Sequence, residues 1–526
     1  LNMLTSLHYL SSFKLLGVSF CTSMLIGCQG IPDTQVSSRQ MSVKAPKQVV
    51  FFIGDGMGIT TLTAARIYKV GESGSLSIDQ LPETAFVRTF SENAQVTDSA
   101  PSMGAYMTGV KMKNEVISMQ TGTNAVELKN GQQQCDTDPV NRNKAFSETL
   151  LEKAISAQYA TGIVTTTRVT HATPASTYAH ICHRDAENEI AAQLVPSKIK
   201  ADRYSNYNTR LKNGIDVILG GGKRHFLPTE SGGKRQDGRN LLKELKKQGY
   251  QVVENRSQLN SLDPADQRKI IGLFNDSHLN YDLDRQNKQI NEPSLKEMTL
   301  IALQKLSSNT KGFFLMVEGG RIDHALHDTN AKRALQDVIA LDDTLQATID
   351  FLKIKDPLLE NSLIIITADH DHTLMLNGYV ERTGPYLPRQ QTSVLGLVKN
   401  QNGLTRDING NPYPVISFGN GKKRPTLNRN DDSVTQLRDD DECRPVMNTS
   451  SYTFSYTPSY QGWCTGAAAD DFQQEAVIQT GFKDSETHGG TDVFLGAIGQ
   501  GSDQFSGSLE NIDVFFRLNQ IMGFEK

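Results

Sequence analysis

A chain of 526 residues can bury a large core, and its length alone allows roughly two to four domains, although large α/β enzymes often run as one unit. Charged residues make up 21% and the net charge is −4, so there is no basic field to gather nucleic acid, and that class of partner is disfavoured.

The first residues read as a targeting segment. Lys14 precedes an apolar stretch, Leu15 to Ile26, that is too short to span a bilayer as a stable helix. It ends in Leu25-Ile26-Gly27-Cys28, the pattern of a bacterial lipoprotein signal, which predicts cleavage after residue 27 and a lipid on Cys28. A plain secretory signal peptide is the alternative. Either reading predicts an exported protein: a periplasmic or outer-membrane-anchored lipoprotein, otherwise a secreted one. Residues 28–46 read as a tether without periodicity.

From Lys47 onward, apolar β-rich runs alternate with helical patterns. The runs Val49–Ile53, Ile163–Thr167, Ile215–Leu219, Phe313–Val317, Leu363–Thr367 and Val493–Ala497 predict strands buried on both faces. Ser294 and Glu297 form a capping box before a helix whose buried stripe is Leu295, Met298, Ala302 and Leu306. A second helix is predicted over about Ala331–Leu352, with Leu335, Val338, Leu345, Ile349 and Leu352 on one side. This alternation predicts an α/β fold, a three-layer α/β/α sandwich around a mainly parallel sheet. Residues 47–375 and 481–526 are assigned to it. Residues 376–480, rich in Gly, Pro, Asn, Asp and Tyr, are too long for a simple loop and are read as an inserted subdomain.

Export permits disulfides. With Cys21 in the targeting segment and Cys28 as the anchor, Cys135, Cys182, Cys443 and Cys464 remain, and four cysteines allow three pairings. The pairing 135–182 with 443–464 is favoured, the second closing a short loop within one irregular segment. Zinc–thiolate binding is disfavoured because no two of the four have close C-x₂₋₄-C spacing.

Chemistry-bearing residues gather at the predicted strand ends, where open α/β sheets bind their ligands. Asp55 follows the first strand inside Gly54-Asp55-Gly56-Met57-Gly58; a dinucleotide fingerprint would need glycine where Ile59 stands. Ser99 precedes a small-residue helix, at the end that favours an anion, and no Gly-x-Ser-x-Gly elbow surrounds it. A nucleophilic Ser99 would therefore need a metal rather than a histidine to activate it. His171 follows the second run. Glu318 and Asp323 follow Phe313–Val317, and Asp323 and His327 share a helical face at i, i+4. Asp369, His370 and His372 follow Leu363–Thr367, and His488 precedes the last strand. Gly220-Gly221-Gly222-Lys223 lacks the spacing of a phosphate-binding loop.

Together these segments resemble the alkaline phosphatase family. The likeness is carried by Phe52–Gly58, Thr97-Asp98-Ser99-Ala100-Pro101, His171-Ala172-Thr173-Pro174-Ala175, His183-Arg184, Val317–His327, Thr367–His372 and Thr487-His488-Gly489-Gly490. The resemblance implies two zinc ions and one magnesium ion per chain. Asp323, His327 and His488 would hold the first zinc; Asp55, Asp369, His370 and the Ser99 oxygen the second. Asp55, Thr173 and Glu318 would hold magnesium, and Arg184 would grip two phosphate oxygens. It further implies phosphate monoester hydrolysis through a phosphoserine at Ser99, with small phosphomonoesters as substrates, and a homodimer. His171 and His324 stand where the animal-type branch has two histidines, which implies a role through water or phosphate; His372 would orient a metal ligand. The 376–480 insertion lies where that branch carries its crown, and both favoured disulfides resemble its own. Asn275 stands where that branch's calcium site has a glutamate, and the resemblance is not extended to calcium. Two rival readings are a related metallo-phosphodiesterase or mutase, and a surface lipoprotein that captures phosphate or metal, for which Ser99 would be dispensable.

Overall fold

The computed structural model describes residues 45–125, 146–196, 209–263, 265–387, 393–408, 410, 412–422, 473–480 and 485–524. Strands β1 (Gln48–Gly54), β2 (Glu83–Arg88), β3 (Ala160–Arg168), β4 (Val217–Gly221), β5 (Gln251–Val253), β6 (Ile270–Leu273), β7 (Phe313–Gly319) and β8 (Ser362–Thr367) come first. Then follow β9 (Asp371–His372), β10 (Leu374–Leu376), β11 (Lys399–Asn400), β12 (Gly403–Leu404), β13 (Ile416–Gly421), β14 (Ala476–Gln479), β15 (His488–Gly489), β16 (Val493–Gly499) and β17 (Gly507–Glu510). Ten of them form one sheet in the order β17-β2-β16-β8-β1-β7-β3-β4-β6-β5. Only β16 runs antiparallel to its neighbours, β8 and β2; the other pairs are parallel.

All six predicted strands lie in this sheet, with the third shifted from 215–219 to Val217–Gly221. The apolar runs are strands because both faces are covered: Val49 to Ile53 and Phe313 to Val317 are fully buried. Helices Ile59–Val70, Leu295–Leu306 and Ala331–Lys353 pack together and onto the sheet, and Ser99–Thr108, Leu150–Ser156 and Asn511–Ile521 form a second group. The result is a three-layer α/β fold. The Ser294–Glu297 capping box is present, and the predicted apolar stripes of both long helices are buried.

The sheet order positions the site. Neighbours β8, β1, β7 and β3 are parallel and in register, with Ile53 opposite both Thr367 and Glu318, and Glu318 opposite Thr165. Their carboxyl ends therefore reach one edge. Because β16 runs the other way, its start meets the end of β8, Leu495 pairing with Thr367. The end of β2 lies beside it, Val87 pairing with Val493. His488 and the segment leading to Ser99 thus arrive at the same edge.

Within 376–480 the described residues build no part of the large sheet. β13 joins β10 and β14 in a small sheet, and β11 pairs with β12. Val394, Val398, Ile416 and Phe418 nevertheless join the main core. Cys182 is buried; Cys28, Cys135, Cys443 and Cys464 lie outside the described residues, as do the targeting segment and nearly all of the tether. Among the described residues no helix is long and apolar enough to cross a membrane.

Candidate metal centre

Two glycines let the strand ends close on one another. A Cβ on Gly58 would lie 1.4 Å from Asp371 Oδ1, and one on Gly56, where φ is +68°, would lie 2.5 Å from the His372 ring. Only glycine fits, so the loop carrying Asp55 can lie directly against the segment carrying Asp369 and His370. The β15–β9 ladder, His488 opposite His372, then holds the His488 turn beside them.

Three donor sets result. In the first, Asp323 Oδ1 lies 3.3 Å from His327 Nε2 and 3.5 Å from His488 Nε2, and the two nitrogens are 3.1 Å apart. His327 Nδ1 donates to the Glu486 carbonyl at 2.7 Å and His488 Nδ1 to the Thr97 carbonyl at 2.8 Å. Burial lowers the pKa of both rings and so favours their neutral form. Each Nε2 is therefore a bare lone pair, and two such lone pairs face each other and a carboxylate.

The second set repeats this pattern. His370 Nδ1 donates to the Asp371 carbonyl at 3.2 Å, which leaves Nε2 bare. That nitrogen lies 3.4 Å from Asp55 Oδ1, 3.5 Å from Asp369 Oδ2 and 3.2 Å from Ser99 Oγ. Ser99 Oγ is also 3.4 Å from Asp55 Oδ1. Asp369 Oδ1 accepts from the Gly56 and His370 amides, both at 3.0 Å, whereas Oδ2 is buried without a partner.

The third set adjoins through Asp55, whose Oδ2 accepts from Thr173 Oγ1 at 3.2 Å. Glu318 Oε2 accepts from Thr165 and Thr167, while Glu318 Oε1 and His171 Nδ1 are buried and unpartnered. Ligand atoms of Asp55, His171 and Glu318 fall within 4.8 Å of one another.

Burial, with neighbouring carboxylates adding to it, pushes Asp369 and Glu318 up to about 7 and Asp55 well above the carboxylate range. Bare imidazole nitrogens, orphaned carboxylate oxygens and mutually repelling acids need positive charge between them; the first two sets mix nitrogen with carboxylate, and the third is mainly oxygen with the His171 nitrogen beside it. The donors therefore fit metal ions.

Asp98 builds the remaining wall. Its carboxylate caps helix Ser99–Thr108 through the Ala100 amide, accepts the Glu115 amide, and pairs with the Arg184 guanidinium. Burial opposes ionisation, but Arg184 and these amides hold the carboxyl below its usual range. Arg184 also lies 3.1 Å, through Nη2, from His171 Nε2. His324 sits beside His171, ring centroids 5.2 Å apart, and His372 donates to Asp323 at 2.8 Å.

The residues expected from the sequence to bind metal or phosphate thus lie at this edge of the sheet. Three neighbours were missed. Asp98 stands one residue before Ser99, where an N-cap acid was readable. Glu486 stands two residues before His488 and binds His372. His278, its ring 4.1 Å from that of His324, follows β6, a strand too short to signal itself.

The family model for alkaline phosphatase matches residues 46–524. The membrane-bound alkaline phosphatase of Bombyx mori is 35% identical over 493 residues, covering 90% of this chain and 79% of that protein. The tissue-nonspecific alkaline phosphatase of Homo sapiens is 35% identical over 408 residues, covering 73% and 72%. Among solved structures, Thermus thermophilus alkaline phosphatase matches with a TM-score of 0.61 at 24% identity, covering 95% of this chain and 96% of that one, a likeness of fold. The chain belongs to the alkaline phosphatase family of metal-dependent phosphomonoesterases.

Proposed function

We propose that Ser99 is the nucleophile of a two-step phosphomonoester hydrolysis and that Arg184 binds the phosphoryl group. The observation that carries this is the convergence of bare Nε2 atoms and orphaned carboxylate oxygens around a serine 1% exposed. Asp323, His327 and His488 hold one zinc; Asp55, Asp369, His370 and Ser99 Oγ hold a second; Asp55, Thr173 and Glu318 hold magnesium. When bound, the ions supply positive charge at the attacking and leaving oxygens and lower the pKa of serine and water.

The chain's own residues set the geometry. Ser99 Oγ, at the start of its helix, passes its proton to solvent and attacks phosphorus in line. The bond from phosphorus to the ester oxygen breaks, and that oxygen takes a proton from water and leaves as the alcohol. The Arg184 fork, aligned by Asp98, binds two non-bridging oxygens. Water then displaces the serine oxygen from phosphorus and releases phosphate, and two inversions give net retention. His327 and His488 keep their protons on Nδ1, so each Nε2 stays free. His171 and His324 contact phosphate or its water, and His372 orients Asp323.

Incubation with an aryl phosphate followed by acid quenching is expected to leave one phosphoryl group on the peptide containing Ser99, read by mass spectrometry, and elemental analysis is expected to find two zinc and one magnesium per chain. Phosphate on another residue would sink the assignment. Asp98→Ala, which frees Arg184, is expected to raise KM for the ester about tenfold and to cost about 1 kcal/mol of stability through the lost cap, read by kinetics and melting.

The same reading extends to the whole chain: a signal at 1–27, a lipid on Cys28, a tether, a catalytic domain of 47–375 with 481–526, a crown-like insertion at 376–480, disulfides 135–182 and 443–464, and a homodimer. The residue pattern supports the signal, anchor, tether and domain bounds, and the resemblance to the alkaline phosphatases, their animal-type branch above all, supports the crown, the disulfides and the homodimer.

A further inference from the structure

We propose that Glu486 is a positioning residue that registers the Asp323–His327–His488 donor set; the inference rests on the reading that this set holds a zinc ion. Glu486 is 1% exposed, and it touches the set by three routes. Its Oε2 binds His372 Nδ1, and His372 Nε2 in turn lies 2.8 Å from Asp323 Oδ1. The ring is thereby strung between two carboxylates, and the free rotation that would swing Asp323 away is removed. Its backbone carbonyl accepts from His327 Nδ1 at 2.7 Å, and its backbone N–H donates to the His327 carbonyl at 3.0 Å. This fixes both the orientation and the tautomer of His327. Its position two residues before His488, at the start of the β15–β9 ladder, sets the height at which the third ligand enters.

The remaining oxygen, Oε1, accepts from the Thr373 amide at 2.7 Å and from the Thr373 hydroxyl. Thr373 directly follows His372, so these bonds fix the carboxylate against the segment it must orient. A buried acid serving only to anchor a turn needs the Thr373 bonds; it does not need a histidine relay to one ligand and a peptide clamp on another. A shift of either ligand by a fraction of an ångström spoils a tetrahedral site, and partners of this kind commonly govern metal affinity by 10–100-fold.

The test is zinc titration of metal-stripped, full-length protein against a competing chelator, alongside melting of the metal-free protein. Glu486→Ala is expected to bind one of its two zinc ions about 10–100-fold more weakly and the other unchanged. Glu486→Gln keeps an acceptor for Thr373 and a polar group against His372, and is expected to recover most of that loss. Wild-type affinity for both ions in Glu486→Ala, with one ion lost in Asp323→Asn, overturns the inference. An equal loss in the Ala and Gln variants assigns the effect to charge and also overturns it. Retention of both ions by Asp323→Asn overturns the reading of the centre itself. Should Glu486→Ala not fold, Glu486→Asp, which withdraws the carboxylate by one methylene, is expected to weaken the same ion, and wild-type affinity there overturns the inference.

Discussion

Ser99→Ala is expected to lower turnover of an aryl phosphate by on the order of 10³-fold or more while leaving zinc content and the melting midpoint close to wild type. Ser99 contributes a single oxygen, and that oxygen is what lies 3.2 Å from His370 Nε2 and 3.4 Å from Asp55 Oδ1. Every other donor proposed for the three ions stays in place. The helix keeps its cap, since the acceptor is Asp98 and not Ser99, and alanine suits a first-turn position at least as well as serine. Direct attack by water on the bound ester remains possible, so a residue of activity is expected, without a phosphoserine. Wild-type turnover by this variant would remove the nucleophile assignment. Undiminished binding of phosphate with lost turnover is what separates an enzyme from a protein that captures phosphate.

Much of the centre was legible because its residues sit at strand ends, and strand ends announce themselves. Leu363 to Thr367 is apolar and fully covered, so the polar residues from Asp369 on had to lie at a carboxyl end. What was not legible depends on contacts distant in sequence. Nothing near His372 signals that both of its nitrogens face carboxylates, one 49 and one 114 residues away. The edge strands were missed for a different reason. Alternation in β2, with Phe86 half exposed, and the shortness of β5 and β6 give weak periodic signals, whereas doubly covered strands give strong ones. The third predicted strand was displaced because Ile215 is buried beside the strand without belonging to it.

The same crowding of acids that prepares the centre for metal should weaken the metal-free fold, and Asp369→Asn exposes this. Burial, then the repulsion of Asp55, pushes Asp369 from an ordinary 3.8 to about 7. A carboxyl whose folded pKa is raised binds its proton more tightly in the folded state. Its stabilising contribution is complete below about pH 4 and is lost as pH rises towards 7, so wild type stripped of metal carries the full penalty at pH 8. Asparagine carries none. Its Oδ1 can still accept from the Gly56 and His370 amides, and its amide group takes the place of the orphaned Oδ2, facing the bare Nε2 of His370 and the Asp55 carboxylate. One pKa unit is worth about 1.4 kcal/mol, so the metal-free variant is expected to be more stable than metal-free wild type by roughly 2–4 kcal/mol at pH 8. That advantage should shrink towards pH 5 and stay level above about pH 7. Taking the difference between two proteins removes the opposing effect of the buried histidines that do not touch Asp369; His370, which the Asp369 carboxylate favours in its charged form, contributes in wild type alone. With zinc and magnesium restored the order should reverse: wild type gains stability and turnover, and the variant gains little of either. Melting of chelated and reconstituted proteins from pH 5 to 8 reads all four cases. A metal-free variant no more stable than wild type at pH 8 would mean that Asp369 does not sit among uncompensated acids, and the centre would lose its electrostatic rationale.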